Sequence, residues 1–131
     1  ATDPVGFGWN GYEWGCYEQG VNGADGTSIG TGYQNTMDIV NQGCLTNNGG
    51  VTAAQAALDA EINGYTDWYL PSKDELLEMI YRIGNIGGFS QMSWSSSEYD
   101  DSWAWSGDPL NYSPFLDYKG NANKVRVIRS F

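Results

Sequence analysis

Glycine interrupts the first 32 residues of this chain more often than a helix can tolerate. Nine glycines stand there: Gly6, Gly8, Gly11, Gly15, Gly20, Gly23, Gly26, Gly30 and Gly32. Each glycine inside a helix costs about 1 kcal/mol relative to alanine, so this part is predicted to form short strands joined by turns. Aromatic residues make up 15% of the chain, and large rings in a glycine-rich chain are typical of a loop-rich fold, not of a helical bundle.

Two short helices are predicted between this segment and residue 64. The first begins at Asn35 or Thr36, because both are good N-terminal caps, and it ends at Gly43. The second follows Thr52, which has the spacing of a capping box with Gln55. Strong helix formers continue it to residue 62.

The string GYTDWYLPSKDELLEM, residues 64–79, concentrates charge and raises the question of a catalytic site. Its pattern predicts a short strand over residues 67–70, a stop at the proline and then a helix. Ser72 and Glu75 have the spacing of a capping box, and carboxylates are favoured in the first turn of a helix. Asp74 and Glu75 are neighbours on that helix and point to different sides, so they are poor partners for acid–base catalysis. A structural role is therefore expected for this cluster.

The second half of the chain reads as strand and loop. Strands are predicted at residues 86–89, 93–99, 103–105 and 124–131. Helices followed by strands indicate an α+β fold, and the length suits one domain over residues 1–131.

Net charge limits the class of partner. Six basic and sixteen acidic residues, with no histidine, give a net charge of -10. A polyanion such as nucleic acid or a sulfated glycan is not expected as a partner, whereas cations, neutral sugars and basic proteins remain open. No apolar run approaches the roughly 18 residues needed to cross a bilayer, so membrane insertion is not expected.

Cys16 and Cys44 are the two cysteines. In an oxidising compartment they would most simply pair, and closing that loop would stabilise the fold by about 3 to 4 kcal/mol. Two buried free thiols are the alternative. A metal site on these thiols is less favoured, because the chain has no histidine to complete the usual ligand set.

Calcium is the one cofactor that the sequence leaves open. Asn22 and Asp25 in one segment, and Asp100 and Asp101 in another, supply oxygen ligands on predicted loops. Neither segment has the spacing of an EF-hand, and the first is explained equally by a turn rich in Asn, Asp and Gly.

The serines at positions 95–97, followed by Glu98, are candidates for nucleophilic chemistry. A serine nucleophile needs a base, and without histidine only lysine or a carboxylate is available. We favour a strand whose serines satisfy backbone groups, with Glu98 accepting hydrogen bonds or pairing with Arg126 or Arg129 inside the fold. No enzymatic activity is expected.

A recognition surface is predicted between residues 99 and 123, where rings and short polar groups alternate as they do in binding loops. The alternative is that Trp103, Phe115 and Tyr118 belong to the core, as is expected for Trp105. The predicted contact residues are Asp100, Asp101, Ser102, Trp103, Ser106, Asp108, Asn111, Tyr112, Ser113, Asp117, Tyr118, Asn121 and Asn123.

Five strings follow one another along the chain, within a resemblance that runs from about residue 15 to the C-terminus: GTGYQNT at 30–36, GYTDWYLPSKDEL at 64–76, WSSSEY at 94–99, AW at 104–105 and VRVIRSF at 125–131. In this order they resemble the C-terminal domain family of the Legionella collagen-like adhesin, which is found in bacterial surface proteins and phage structural proteins. The resemblance implies a C-type-lectin-like fold, related to the formylglycine-generating enzymes, with two helices packed on a small twisted antiparallel sheet and long loops that present a surface.

The chain departs from that family in two ways and from the related formylglycine-generating enzymes in one. Residues 106–118 carry two prolines in place of the usual hairpin residues, and prolines break a regular ladder, so this segment is expected to have its own shape. The sulfated-glycan ligand of the adhesin is not carried over, because of the net charge. The cysteines that the formylglycine-generating enzymes need in the C-terminal half are missing after Cys44.

The expected function is therefore a non-enzymatic extracellular or virion-surface binding or adhesion domain, for example in a phage tail or surface protein, that recognises a cell-surface glycan or protein through its C-terminal loops. We expect it to act as a homo-oligomer. One alternative is a structural subunit of a surface filament, fibre or capsid. A second is the variable ligand-binding protein of a diversity-generating retroelement, because the C-terminal segment is rich in Asn, Tyr, Ser and Asp.

Overall fold

The computed structural model describes residues 11–47, 49–83, 92–109 and 111–129. In chain order the elements are β1 (Tyr12–Glu13), α1 (Gly32–Gln42), α2 (Ala53–Leu58), α3 (Lys73–Ile83), β2 (Ser93–Glu98), β3 (Trp103–Asp108), β4 (Ser113–Tyr118) and β5 (Ala122–Asn123). Strands β2, β3 and β4 form an antiparallel sheet with β3 in the centre, and β1 pairs antiparallel with β5. The described chain is α+β, as predicted, with three helices where the resemblance implied two.

Helix α1 begins earlier than predicted. It begins at Gly32, and the expected caps Asn35 and Thr36 lie inside it with buried side chains. Asn35 accepts a hydrogen bond from the Gly26 N–H at 3.2 Å and donates one to the Gly26 carbonyl at 2.7 Å. The Thr36 hydroxyl donates to the Leu70 carbonyl at 3.1 Å. These polar side chains therefore tie α1 to neighbouring loops and do not cap its end.

The other two helices have the predicted N-terminal caps. Thr52 Oγ1 accepts the Gln55 N–H at 3.1 Å. Ser72 Oγ accepts the Glu75 N–H at 3.3 Å, while Glu75 Oε1 accepts the Ser72 N–H at 2.8 Å, so the reciprocal capping box is confirmed. Helix α2 ends at Leu58, earlier than the predicted residue 62.

Two of the predicted strands form only isolated β-bridges within the described residues. Residues 67–70 and residues 124–129, the described part of the last predicted strand, meet at one antiparallel bridge, in which Tyr69 and Ile128 exchange backbone hydrogen bonds of 2.8 and 3.0 Å. Lys124 forms a second, parallel bridge with Ser93. Strands β2 and β3 match the predictions well, whereas the strand predicted at residues 86–89 lies outside the described residues.

The expectation that prolines would break the hairpin at residues 106–118 is wrong. Strands β3 and β4 pair in unbroken register over six residue pairs, with Pro114 opposite Gly107. Lys119 donates its N–H to the Ser102 carbonyl at 3.0 Å, and hydrogen-bonded pairs alternate along an antiparallel ladder. The odd-numbered residues of β4 therefore bond to β3, and Pro114 stands where an N–H would point away from the sheet. An edge strand tolerates proline at such a position.

Apolar side chains pack on both faces of the three-stranded sheet. The main core gathers around Trp14 and Trp94, together with residues of α1 and α2. On the other side, Leu76 and Ile80 of α3 form a second buried cluster. A Cβ atom added at Gly107 would lie 2.5 Å from Ile80 Cδ1, so glycine lets α3 approach β3 closely.

The serines of β2 join these layers. The hydroxyls of Ser95, Ser96 and Ser97 donate to the carbonyls of Trp105, Pro71 and Gly26, at 2.6, 3.1 and 2.6 Å. Ser97 Oγ also accepts the N–H of Lys73 at 2.9 Å, at the start of α3. The serines satisfy backbone groups, as predicted from the sequence.

Cys16 and Cys44 form a disulfide, as predicted, with Cα atoms 4.9 Å apart. It joins the turn after β1 to the segment after α1.

Candidate binding surface at one end of the sheet

Five aromatic side chains gather where β3 begins and β4 ends, and together they are called the aromatic end: Tyr17, Tyr99, Trp103, Trp105 and Tyr118. The Trp103 ring stacks on the Tyr118 ring, with centroids 4.0 Å apart. Tyr17 meets Tyr118 edge-on at 6.2 Å, and Tyr99 meets Trp105 edge-on at 5.7 Å. The side chains of Tyr17, Tyr99 and Tyr118 remain 40%, 57% and 45% exposed.

The turn between β2 and β3 is held by hydrogen bonds to its own backbone. The N–H groups of Tyr99 and Asp100 both donate to the Trp103 carbonyl, at 3.0 and 3.1 Å. Asp100 Oδ1 accepts the N–H groups of Ser102 and Trp103, both at 2.9 Å. This Asx turn fixes the position at which Trp103 enters the sheet.

The turn that carries Tyr17 is strained and firmly held. Its neighbours Cys16 and Glu18 have φ angles of 59° and 61°, a region that costs a non-glycine residue about 1 to 3 kcal/mol. The Gln19 N–H donates to the Cys16 carbonyl at 3.0 Å, and Cys16 is fixed by its disulfide. The ring of Tyr17 is therefore presented from a turn with little freedom to move.

A buried ion pair lies beneath this turn. Lys119 Nζ, fully buried, is 2.6 Å from Glu98 Oε2, whose side chain is 11% exposed. The same ammonium donates to the carbonyls of Cys16 and Gln19 at 3.4 and 3.3 Å. Glu98 Oε2 in turn accepts the N–H of Val21 at 2.9 Å. The pair therefore anchors the turn of Tyr17 to the ends of β2 and β4.

Glu98 was expected to accept hydrogen bonds or to pair with Arg126 or Arg129. It accepts a hydrogen bond from Val21, as the first of these roles requires, but the cation beside it is Lys119 and neither arginine. Arg129 instead donates two hydrogen bonds to Asp67, at 2.7 and 3.0 Å. These bonds hold the pKa of Asp67 below its ordinary value and raise the pKa of Arg129 above its own.

Exposed carboxylates surround the aromatic end. Glu18 follows Tyr17, and Asp101 lies two residues before Trp103; both are exposed. Asp101 Oδ1 would lie 2.9 Å from a Cβ atom added at Gly20, so the turns of Tyr17 and Asp101 touch. Neither Glu18 nor Asp101 makes an ion pair or hydrogen bond within the part of the chain that the structure describes.

Only part of the predicted recognition surface lies at this end of the sheet. The residues there are Asp100, Asp101, Ser102, Trp103 and Tyr118, whereas Asp108, Asn111, Tyr112 and Ser113 lie at the β3–β4 hairpin tip. Five residue steps along β3 separate the two groups, which corresponds to roughly 17 Å. The predicted contact residues therefore lie in two separate groups, one at the aromatic end and one at the hairpin tip.

Of the remaining predicted residues, Asp117, Asn121 and Asn123 are joined by hydrogen bonds, with Asn121 exposed, and Ser106 is buried. Asp117 accepts hydrogen bonds from the side-chain amides of Asn121 and Asn123, at 2.7 and 2.8 Å. Ser106 is 1% exposed and donates to the Phe115 carbonyl at 3.0 Å. Its assignment to a contact surface is therefore corrected, because a buried hydroxyl cannot reach a ligand.

Exposure also decides which rings belong to the core. Phe115 and Tyr118 are 49% and 45% exposed, so the alternative that places them in the core does not hold. Trp105 is only half-buried, although it was expected to be a core residue. Tyr112 is exposed, as predicted.

Sequence reasoning missed Tyr17 and Glu18. A signal was present in the string GCYEQG, residues 15–20, where an aromatic and an acidic residue follow a cysteine between glycines. A disulfide that pins one end of a short turn makes its exposed residues candidates for recognition.

Asp25, Asp100 and Asp101, three of the four residues proposed for calcium, do not belong to a metal-binding group of acidic side chains in the part of the chain that the structure describes. Within the described ranges no group of three or more His, Cys, Asp or Glu side chains could hold a metal ion. In the segment of Asn22 and Asp25, the Asp38 carboxylate instead accepts the Ala24 N–H at 3.0 Å, which supports the turn interpretation. Calcium binding remains a prediction.

No described helix has the length and apolar character of a membrane span.

A search of protein-family models, of curated proteins and of solved structures finds no match to this chain. The relation to the adhesin family therefore stays a proposal, which rests on the five sequence strings.

Proposed function

We propose that this chain is a non-enzymatic binding domain of an extracellular or virion-surface protein, and that the aromatic end contacts its ligand. The observation that carries the proposal is the group of tyrosines left 40% to 57% exposed beside a stacked Trp–Tyr pair. Contiguous exposed aromatic surface is uncommon on a domain without a partner, because its burial would be favourable. Tyrosine and tryptophan also supply contact area at low entropic cost.

The way in which these rings are held supports the same conclusion. The turn of Tyr17 contains two non-glycine residues with positive φ, and a buried ion pair and a disulfide keep it in place. Strain that the surrounding structure maintains is found preferentially at functional sites. A preorganised surface loses less entropy on binding.

The support for the proposed fold and location is less specific than the support for the binding surface. A C-type-lectin-like fold agrees with an α+β chain that has small antiparallel sheets. An extracellular location agrees with the disulfide, since disulfides persist in oxidising compartments.

Assembly into a filament through strand pairing is disfavoured by the edge of β4. Of its three outward-facing positions, Pro114 has no N–H, and the N–H of Tyr118 bonds to Asp117 Oδ1 at 2.9 Å. Proline and charge at an edge strand are known devices against strand addition. A ligand-binding role is therefore preferred to the alternative of a structural subunit that adds strands at this edge.

An array of glycans and surface proteins, run with and without a calcium chelator, tests the proposal. Tyr118→Ala removes a ring of the aromatic end, and Tyr81→Ala is the matched control, since Tyr81 is 78% exposed near the other end of α3. A third variant, Tyr112→Gly, removes the ring at the hairpin tip at a φ of 53°, which glycine adopts easily.

We expect Tyr118→Ala to weaken ligand binding by at least about 3-fold, while the other two variants bind like the unaltered chain. Tyr81→Ala and Tyr112→Gly should unfold at nearly the same temperature as the unaltered chain, and Tyr118→Ala should unfold only a few degrees lower, because it loses the stacked pair with Trp103. If Tyr112→Gly alone abolishes binding, the hairpin tip is the site and the aromatic end is not.

A further inference from the structure

We infer that the ligand group recognised by the aromatic end is a cation, and that the partner is a basic protein segment that presents lysine or arginine side chains. This inference rests on the proposed function and narrows it. It follows from a pattern that recurs elsewhere in the molecule.

Three groups of one ring, one carboxylate and one cation occur in the described chain. The groups are Lys73 with Trp105 and Asp74, Lys119 with Trp14 and Glu98, and Arg129 with Tyr65 and Asp67. The cation lies 5.3, 4.9 and 3.7 Å from the respective ring centroid. The face of an aromatic ring attracts a cation through its quadrupole, and a nearby carboxylate adds charge attraction.

Within the aromatic end, Trp105 already has Lys73 over its ring, whereas the part formed by Trp103, Tyr118 and Tyr17 contains the first two components of this group without the third. The stacked pair of Trp103 and Tyr118 and the edge-on ring of Tyr17 supply aromatic surface. Glu18 and Asp101 supply exposed carboxylates that make no ion pair within the described ranges.

The lysines next to this surface cannot supply the missing cation. The Lys119 side chain is fully buried in its pair with Glu98. Lys73 Nζ is 3.2 Å from the Asp74 carboxylate and lies against Trp105. A cation from another molecule would therefore complete a fourth group of the same kind.

The net charge of -10 favours the same class of partner. A strongly acidic domain attracts basic segments over distances that salt shortens, from about 30 Å at 0.01 M to about 10 Å at 0.1 M ionic strength. A neutral sugar would gain ring contacts and hydroxyl hydrogen bonds to the carboxylates but no ionic attraction, and an anionic glycan would be repelled by the carboxylates.

The test uses the full 131-residue chain and a short peptide in which three lysines alternate with glycine. The matched probe replaces each lysine by norleucine, which keeps the length and removes the charge, and neutral oligosaccharides form a third arm. Titrations are followed by the tryptophan indole N–H signals in NMR spectra and by fluorescence.

We expect the lysine peptide to bind at least 10-fold more tightly than the norleucine peptide, with the largest shift at the Trp103 indole. Tyr118→Ala should weaken lysine-peptide binding by about 3- to 30-fold, the range expected for a lost cation–π contact. Because this variant keeps the net charge, non-specific attraction would leave its affinity unchanged. Asp101→Asn should weaken binding, while Glu61→Gln, an equal charge change at an exposed residue elsewhere, should not.

The alternative outcomes separate this inference from the proposed function. If a neutral oligosaccharide shifts the Trp103 signal and loses affinity in Tyr118→Ala, while the lysine peptide does neither, the cation inference is overturned and the binding surface stands. If the lysine peptide binds equally to Tyr118→Ala, its attraction is non-specific and the inference fails. If array ligands bind with no loss in Tyr118→Ala, the aromatic end is not the site and both fail.

Discussion

Replacing Lys119 by methionine tests how much the buried ion pair contributes to the fold. Methionine fills most of the space of the lysine stem, so the main loss is the ammonium group, which is 2.6 Å from Glu98 and hydrogen-bonded to two carbonyls. The variant leaves a carboxylate, 11% exposed, without its cation. Breaking a buried pair in this way costs about 3 to 5 kcal/mol.

That loss is large compared with the roughly 5 to 15 kcal/mol of a typical domain. For a chain of this size, about 1 kcal/mol changes the unfolding temperature by roughly 3 to 5 °C, so Lys119→Met should unfold about 10 to 20 °C lower. Urea unfolding at pH 7, followed by tryptophan fluorescence, gives the free energy of unfolding directly.

Two further variants complete the experiment. Arg82→Met removes the cation of a solvent-exposed i,i+4 pair with Glu78, which should cost at most about 0.5 kcal/mol. The double variant Glu98→Gln with Lys119→Met removes both charges of the buried pair and should recover part of the loss. A loss below about 1 kcal/mol for Lys119→Met alone would refute the description of the pair as buried and stabilising.

Three smaller predictions concern other contacts. Replacing Cys16 and Cys44 by serine should lower the free energy of unfolding by about 3 to 4 kcal/mol, the loop entropy for a separation of 28 residues, and a reducing agent should then have no further effect in urea unfolding. Ser72→Ala should cost about 1 kcal/mol in the same assay, because the Glu75 N–H loses its cap, and an unchanged midpoint would argue against the cap. Asp67→Asn should reduce the extent to which the stability of the fold changes with pH. Since the pKa of Asp67 is lowered from 3.8 in the folded chain, its pair with Arg129 stabilises the fold above that value and is lost as the pH falls below it. The melting temperatures of variant and unaltered chain should therefore converge as the pH falls below the ordinary pKa of an aspartate, and a gap that stays constant would contradict this account.

Local signals in the sequence predicted the local structure. The capping boxes of Thr52 and Ser72 depend on residues three positions apart, so the sequence contains all that is needed to find them. The start of α1 was predicted wrongly because Asn35 and Thr36 look like caps, although their partners in the fold are Gly26 and Leu70. When a side chain can either cap a helix or bind a neighbouring loop, contacts distant in sequence determine which role it has.

The candidate site was only half predictable for the same reason. Asp101 and Trp103 belong to a continuous segment that its composition marked as a binding loop. Tyr17 reaches that segment only because Lys119 and the disulfide hold its turn there. Spacing in the sequence does not report pairings across about 100 residues, as between Lys119 and Gln19.

The hairpin tip at Asn111 and Tyr112 offers a practical means of handling the molecule. It is exposed, and it lies at the opposite end of β3 from Trp103, roughly 17 Å away along the strand. A fluorophore or a surface tether attached through Asn111→Cys would leave the stacked rings facing solution. Immobilised in that orientation, every molecule in a binding experiment would present the same face to its ligand.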